Sequence, residues 1–357
     1  MSYHGKHAVV TGGLGFIGSN LAIRLVELGA SVVVLDPQTP GCGGNPFNIE
    51  SVRDRMEWIP ADLADPASYR HVISKADVVF NLAGEISHVH SMQFPERDLQ
   101  INALAQLRLL TTCAEIGVKA RIVYAGTRQV YGVPKYQPVD EGHPIQAVDF
   151  NGVHKFAASQ YHLMLSRSGL LDCVVLRLTN VYGPRMALDV VCQGFLSTFV
   201  RRAVLGQQIE IFGNGQQLRD PVYVDDAVEA FLLAGLAERL SHRSFNVGGP
   251  EAVSVAEVAR IASQLGGCAV PIFRPFPEDR EPIDIGSYRS DYRRISREFG
   301  WYPQVQFADG LQRTIEFYKL HLPWYLDTSE LNPTCRMPEH HGAPGRLTYV
   351  PATAVVP

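Results

Sequence analysis

Three glycines near the start of the chain have a spacing that could hold a diphosphate against the backbone. Gly12, Gly15 and Gly18 lie between a short apolar run and the start of a helical pattern. In a strand–turn–helix unit, such glycines permit a tight turn, close approach of a pyrophosphate and packing of the helix on the sheet. Asp36 ends the next apolar run, where a carboxylate accepts hydrogen bonds from ribose hydroxyls and repels a 2′-phosphate. The pattern therefore predicts a site for NAD rather than NADP, the alternative being a purely structural turn with an exposed Asp36.

Residues that follow the next two apolar runs are expected at the same edge of the sheet. Asp62 could face the adenine or cap a helix, and the small residues Ala83 and Gly84 allow a ligand to approach the backbone. The predicted contacts of the cofactor in this part of the chain are Gly12, Gly15, Phe16, Ile17, Gly18, Asp36, Asp62, Leu63, Leu82, Ala83 and Gly84.

The elements that must position these residues alternate between strand and helix in the first half of the chain. Apolar strands without polar alternation, divided by helical patterns, predict an α/β fold: a Rossmann-type, doubly wound parallel sheet covered on both faces. After residue 181 the elements become shorter, and Gly and Pro interrupt them. We therefore expect an NAD-binding domain over 1–180, a smaller mixed α/β substrate domain over 181–330 with some interleaving, and a C-terminal tail over 331–357.

Composition excludes several classes of function. The 357 residues carry a formal net charge of −4, so no basic excess exists to bind nucleic acid. The six cysteines form no CxxC pair and no cluster with His, so neither a metal site nor a disulfide framework is predicted. The first residues contain no apolar signal core, and no apolar stretch is long enough to span a bilayer, so we expect a cytoplasmic protein.

Several motifs together resemble one family, the extended short-chain dehydrogenases/reductases of the nucleotide-sugar epimerase/dehydratase group. The resemblance extends over roughly residues 6–320. It rests on Thr11-Gly12-Gly13-Leu14-Gly15-Phe16-Ile17-Gly18, Thr127-Arg128-Gln129-Val130-Tyr131-Gly132, Lys155, Arg177-Leu178-Thr179-Asn180-Val181-Tyr182-Gly183-Pro184-Arg185 and Arg219-Asp220-Pro221-Val222-Tyr223-Val224-Asp225-Asp226.

The resemblance implies a catalytic Ser/Thr, a Tyr, and a Lys four residues after the Tyr. Thr127 and Lys155 match the first and the last of these, and the Lys also holds the cofactor ribose in the family. The position of the Tyr is Asn151. An amide cannot accept the proton of a sugar hydroxyl as a phenolate does, because it only donates and accepts hydrogen bonds.

Three interpretations of Asn151 stay open. In the first, Asn151 and Thr127 orient the hydroxyl while another group accepts the proton: Lys155 with a lowered pKa, or Glu85 beside the sheet edge. His88 and His154 are weaker candidates. In the second interpretation the protein binds NAD and a nucleotide sugar without chemistry. In the third, a dehydratase or oxidoreductase acts at another sugar carbon with another base.

The residues after Thr127 favour epimerisation over elimination. The resembling dehydratases carry an acidic pair at these positions, whereas this chain has Arg128 and Gln129, and neither is a general base near neutral pH. We therefore expect a redox-neutral epimerase, acting at C4 through a transient keto sugar. Arg128 could pair with a carboxylate of the substrate or be an ordinary surface charge.

The resemblance also assigns the nucleotide end of the substrate and an oligomer. It implies that Asn180 and Arg219 contact the diphosphate and that Arg280 lies near the nucleoside. The predicted contacts of the substrate are therefore Glu85, Arg128, Asn180, Arg219 and Arg280. It further implies a homodimer whose interface is formed by helices that contain residues 100–107 and 157–163.

Overall fold

A parallel sheet forms the centre of the molecule, as described by a computed structural model of residues 2–190, 194–277 and 280–326. The strands in these ranges are β1 (His7–Thr11), β2 (Ser31–Leu35), β3 (Glu57–Ile59), β4 (Val78–Asn81), β5 (Arg121–Thr127), β6 (Asp172–Leu178), β7 (Val181–Tyr182), β8 (Glu210–Phe212), β9 (Leu218–Arg219), β10 (Val222–Tyr223), β11 (Ser244–Val247), β12 (Val253–Ser254) and β13 (Ile272–Arg274). Seven of them form one sheet in the order β11-β6-β5-β4-β1-β2-β3, and all its pairings are parallel.

Helices cover both faces of this sheet. They are α1 (Phe16–Glu27), α2 (Pro66–Ile73), α3 (His88–Gln93), α4 (Pro95–Leu99), α5 (Ala105–Glu115), α6 (Phe150–Arg167), α7 (Phe195–Val204), α8 (Val224–Leu236), α9 (Val255–Gly266), α10 (Arg293–Phe299) and α11 (Phe307–His321). Short 3₁₀ segments occupy Pro46–Arg55, Arg128–Tyr131, Glu281–Ile283 and Leu322–Trp324, and a π-helical turn occupies Gln100–Leu104.

The apolar strand sequences explain why both faces are covered. Successive side chains of a strand point to opposite faces, and in β1 Ala8 and Val10 belong to one buried cluster while Val9 belongs to another. Val78 and Phe80 of β4 are divided from Val79 in the same way. The structure confirms the predicted Rossmann-type, doubly wound α/β sheet, with the strand order of dinucleotide-binding folds.

The second half of the chain contributes to the sheet as well as to a smaller layer. Short two-stranded ladders join β7 to β10, β8 to β13 and β9 to β12, and α7, α9 and α11 pack beside them. However, β11 returns to the central sheet and pairs with β6, and α8 packs on β4, β5 and β6. The predicted domains therefore interleave at these segments, and the predicted tail at 331–357 lies outside the described residues. None of the helices described is both long and apolar enough to cross a membrane.

Candidate active site

A cavity of about 800 Å³ opens at the carboxyl ends of the sheet strands, where ligands bind in open α/β folds. It brings together nearly all the residues that the sequence singles out. The predicted residues on its wall are Gly12, Gly15, Phe16, Ile17, Gly18, Asp36, Asp62, Leu63, Leu82, Ala83, Gly84, Thr127, Arg128, Asn151, Lys155, Asn180, Arg219 and Arg280.

Two glycines at the turn between β1 and α1, Gly12 and Gly18, have no room for side chains. Gly12 has a φ of +67°, and a Cβ there would lie 2.9 Å from the backbone N and Cα of Ala83. A Cβ on Gly18 would collide with the carbonyl oxygen of Gly12. Gly15 is the N-cap of α1 and offers no side-chain hydrogen bond, so the first amides of the helix remain available to a ligand. This cradle fits the diphosphate of a dinucleotide.

Two carboxylates lie on the cofactor side of the cavity, in different environments. Asp36 is buried, and its oxygens accept hydrogen bonds from the backbone N of Leu14 at 3.0 Å and of Gln38 at 2.8 Å. Burial raises the pKa of Asp36, although these hydrogen bonds oppose the rise. Asp62 is exposed and accepts from the Ala64 N at 2.8 Å, while Asp65 caps α2. The helix-cap alternative for Asp62 is therefore wrong.

The reaction end of the cavity is formed by the end of β5 and the first turns of α6. Thr127 ends β5, and its Oγ1 accepts a hydrogen bond from the Gln129 N at 3.2 Å, which starts the following 3₁₀ turn. Asp149 caps α6 by accepting from the Gly152 N at 2.6 Å. This cap fixes the first turn of the helix, from which Asn151 and Lys155 project one turn apart.

Lys155 is buried beside the cofactor side of the cavity. Its side chain is 7% exposed, and a Cβ on Gly84 would lie 2.9 Å from the Lys155 Nζ. The small residue at position 84 therefore makes room for this amine. Burial lowers the pKa of Lys155 to about 8, although the nearby Asp98 carboxylate opposes the shift. The neutral form of this amine is thus more accessible near neutral pH than that of an exposed lysine.

The amide of Asn151 has a fixed orientation. The side chain is 1% exposed, and its Nδ2 donates to the carbonyl oxygen of Glu85 and to Oδ2 of Asp98, both at 2.9 Å. Because both partners are acceptors, the nitrogen must face them and both amide hydrogens are used. The amide oxygen is the atom that Asn151 can offer to the cavity, so it can accept a hydrogen bond from a sugar hydroxyl there.

Asp98 links these groups, and no feature of the sequence pointed to it. Asp98 lies on α4, is 1% exposed, and its Oδ1 lies 2.7 Å from the Nδ1 of His154. His154 therefore binds Asp98 and is absent from the cavity wall. In the sequence, Asp98 is only an acidic residue in a short helical stretch. Glu96, two residues earlier, cannot be distinguished from it by sequence, but Glu96 is exposed.

The structure does not bring the Glu85 carboxylate to the cavity wall. The carboxylate is buried against α3 and α4, with Oε1 2.5 Å from the His90 Nδ1 and Oε2 3.3 Å from the Arg97 Nε. The expectation of Glu85 as a base or a substrate contact is not supported by this geometry, because the carboxylate already contacts His90 and forms an ion pair with Arg97 beside the site. His88 lines the cavity, but its Nδ1 lies 3.0 Å from Oδ2 of Asp149.

Arginines surround the other end of the cavity. Arg128 is 9% exposed, so its interpretation as a surface charge is wrong. Its Nη2 donates to the Asn180 Oδ1 at 3.1 Å, and its guanidinium lies 4.9 Å from the centroid of the Tyr288 ring. Arg219 lies 3.5 Å from the Asp284 carboxylate, and burial together with the neighbouring Arg128 lowers the pKa of Arg219 to about 10. Arg280 stacks over Phe212, 5.4 Å from the ring centroid.

Comparisons with known proteins find a matching family model and several similar sequences. Residues 8–248 match the model of the NAD dependent epimerase/dehydratase family. The UDP-glucose 4-epimerase of Mycolicibacterium smegmatis is 33% identical over 87% of this chain and 98% of that protein. UDP-glucuronic acid decarboxylase 1 of Arabidopsis thaliana is 28% identical over 87% of this chain and 69% of that protein.

A solved structure extends the similarity to the whole architecture. The UDP-glucose 4-epimerase of Thermotoga maritima with UDP-glucose superposes with a TM-score of 0.81, at 30% identity, over 88% of this chain and 99% of that chain. The glycine cradle, the buried Asp36 and the family match agree on the cofactor. The chain belongs to the NAD dependent epimerase/dehydratase family, and its cofactor is NAD.

Proposed function

We propose that this protein is a nucleotide-sugar 4-epimerase in which Lys155 accepts the proton that a tyrosine accepts in the resembling enzymes. When bound, NAD supplies reversible oxidation of the sugar carbinol. The observation that carries the proposal is the buried amine of Lys155, with a pKa lowered to about 8, one helical turn from a fixed Asn151 amide on the same cavity wall. A group with a pKa near the working pH is suited to general acid–base catalysis.

The side chains around Lys155 have separate roles in substrate binding and in proton transfer. The Asn151 Oδ1 accepts a hydrogen bond from the sugar hydroxyl, since its Nδ2 is bound to Glu85 and Asp98. The Thr127 Oγ1 accepts from the Gln129 N, so its hydrogen is free to donate to the sugar oxygen. The neutral Nζ of Lys155 takes the hydroxyl proton and returns it after the keto sugar has presented its other face.

The residues beside Thr127 support epimerisation rather than elimination. Net loss of water needs an acid and a base on adjacent carbons, and Arg128 and Gln129 supply neither. Gln129 is moreover bound through its Nε2 to the Asp149 carboxylate at 2.8 Å. Asn180, Arg219 and Arg280 lie on the same cavity wall and are the groups that we assign to the nucleotide diphosphate.

The test is to identify the product and to follow the cofactor. Purified protein with NAD is incubated with UDP-glucose, UDP-N-acetylglucosamine and the corresponding uronic acids, and the sugars are analysed by proton NMR. A C4 epimer that forms from either direction supports the proposal. Binding of the nucleotide sugars without an epimer or a reduced-nicotinamide signal would favour a catalytically silent binding protein, which the replacement of Tyr by Asn151 makes the main alternative.

We also propose that the protein is a homodimer that buries an exposed apolar surface on α6 and the helices before it. Leu99, Leu104, Val153 and Met164 are all large apolar side chains exposed to solvent on these elements. Such a surface is typical of an interface between subunits. Light scattering after size exclusion is expected to give a dimer, and Val153→Glu with Met164→Glu is expected to give a monomer; a monomeric unmodified protein would contradict the assignment.

A further inference from the structure

Arg128 carries a buried positive charge with an unsatisfied donor. Its Nη1 is shielded from water and has no hydrogen-bond partner among the described residues. Nη2 is bound to Asn180, and the Tyr288 ring supports one face of the guanidinium. Burial lowers the pKa of this group, and the neighbouring Arg219 adds a second positive charge. A buried cation without an anionic partner is unfavourable, so the arrangement is suited to an anion that the ligand brings.

The neighbouring carboxylates do not fill this role. Asp220 accepts from the Thr179 Oγ1 at 2.6 Å and from the Ser290 N at 2.7 Å. Asp149 caps α6, and Asp284 lies with Arg219. In the part of the chain that the structure describes, no carboxylate lies within ion-pair distance of Arg128, whereas Arg219 has one.

The position of Arg128 indicates which part of a ligand would meet it. Arg128 directly follows Thr127, the residue that we assign to the reacting sugar hydroxyl. In a hexuronic acid the carboxylate is attached to C5, the neighbour of the C4 carbon that bears that hydroxyl. The diphosphate is attached on the opposite side of the ring, at C1, and Arg219 and Arg280 are available to it.

We propose that Arg128 is a specificity residue that pairs with the carboxylate of a nucleotide-linked uronic acid. This inference rests on the proposed function and names its substrate class. The Asn180 amide oxygen and the Tyr288 ring orient the guanidinium, which lines the cavity and donates to the carboxylate. A neutral hexose offers only its C6 hydroxyl there and leaves the buried charge of Arg128 uncompensated, which discriminates against it.

The test measures binding, so that it does not depend on turnover. Isothermal titration compares UDP, UDP-glucose and UDP-glucuronic acid on the NAD-loaded protein and on Arg128→Gln. We expect the unmodified protein to prefer UDP-glucuronic acid over UDP-glucose by at least about tenfold, as for a charge-assisted pair. Arg128→Gln is expected to abolish this preference and to leave the affinity for UDP within about twofold.

Two results would overturn the inference. The first is the absence of a preference for the uronic acid in the unmodified protein, and this measurement requires no variant. The second is an Arg128→Gln protein that loses affinity for UDP and for both sugars by the same factor, which would assign Arg128 to the diphosphate. Arg128→Lys keeps the charge without the fork geometry, and it is expected to retain part of the preference. Failure of the proposed function has a different signature, because UDP-glucuronic acid would then bind with preference but give no epimer.

Discussion

The two ends of the cavity are built in different ways. At the cofactor end, the backbone of one short segment forms the cradle, and Gly12 and Gly18 allow close contacts between backbone atoms. At the reaction end, side chains from distant parts of the chain orient one another through hydrogen bonds. Asn151 and Asp98, for instance, are 53 residues apart in sequence and meet at 2.9 Å.

On the proposed function, this difference accounts for a site in which Asn151 stands at the position where the family resemblance implies a tyrosine. A backbone cradle permits few amino-acid substitutions, because a side chain at Gly12 or Gly18 would collide with other backbone atoms. A network of side chains can instead keep a hydroxyl oriented through the Asn151 oxygen and transfer the proton to an amine that is already buried. The reaction end is therefore where this chain is expected to differ most from its relatives.

The largest expected effect tests whether Lys155 is the centre of the reaction end. Lys155→Met removes the proton acceptor but keeps the apolar stem, so kcat is expected to fall by about a thousandfold, within the range for the loss of a general base. In the unmodified protein kcat is expected to rise with pH through about 8, because only the neutral amine accepts a proton. Steady-state assays of epimer formation measure both effects.

The control for Lys155→Met is Lys75→Met, which changes an exposed lysine on the surface. Its kcat is expected to match that of the unmodified protein. A Lys155→Met enzyme with full turnover would contradict the assignment of the base, whereas cofactor binding by both variants would show that the cofactor end is intact.

Asp98→Asn tests whether the buried carboxylate positions the reaction end. Asp98 favours the charged form of Lys155, so its neutralisation is expected to lower the pKa of Lys155 further and to move the acid limb of the kcat profile to lower pH. A weaker hold on the Asn151 amide is expected to reduce kcat by about thirtyfold. A pH–rate profile measures both, and a merely structural role would lower kcat without moving the limb.

Glu96→Gln is the matched control on the same helix, because Glu96 is exposed. Its pH profile is expected to coincide with that of the unmodified protein. An equal shift in both variants would mean that the general charge of α4, rather than the buried Asp98 carboxylate itself, opposes the lowering of the pKa of Lys155.

The same contrast determines how far the sequence could predict the molecule. The sheet, the glycine turn and Asp36 were predictable, because apolar runs, glycines and a strand-end carboxylate are local features. Asp98 was not, since α4 has only five residues and shows no periodicity that separates Glu96 from Asp98, and its burial depends on α6, which is distant in sequence. The direction of Glu85 was not predictable either, because it depends on the contacts of its carboxylate with His90 and Arg97. The roles of Thr127, Asn151 and Lys155 stay predictions.

Asp36→Asn tests the cofactor end with a smaller expected effect. The change keeps the shape of the side chain but removes the negative charge, which strengthens hydrogen bonds from ribose hydroxyls and repels a 2′-phosphate. The affinity for NAD is therefore expected to fall by about tenfold, and the preference for NAD over NADP is expected to decrease. Fluorescence titration of cofactor-depleted protein with each dinucleotide measures this. Asp62→Asn, at an exposed carboxylate on the same wall, is the comparison, and an equal loss in both variants would contradict a special role for Asp36.

The smallest effect on turnover is expected from Glu85→Gln, which tests whether a carboxylate beside the reaction end takes part in the reaction. The Glu85 carboxylate forms a hydrogen bond with His90 and an ion pair with Arg97 beside the cavity, while only the backbone carbonyl of Glu85 contacts Asn151. Replacement by Gln leaves that carbonyl in place, so kcat is expected to fall by less than about threefold. Loss of the buried ion pair is instead expected to lower the free energy of unfolding by about 1–3 kcal/mol. Urea unfolding and epimer formation measured on the same preparation separate the two effects. A large loss of kcat with unchanged stability would instead indicate that Glu85 is the general base and that Lys155 assists it.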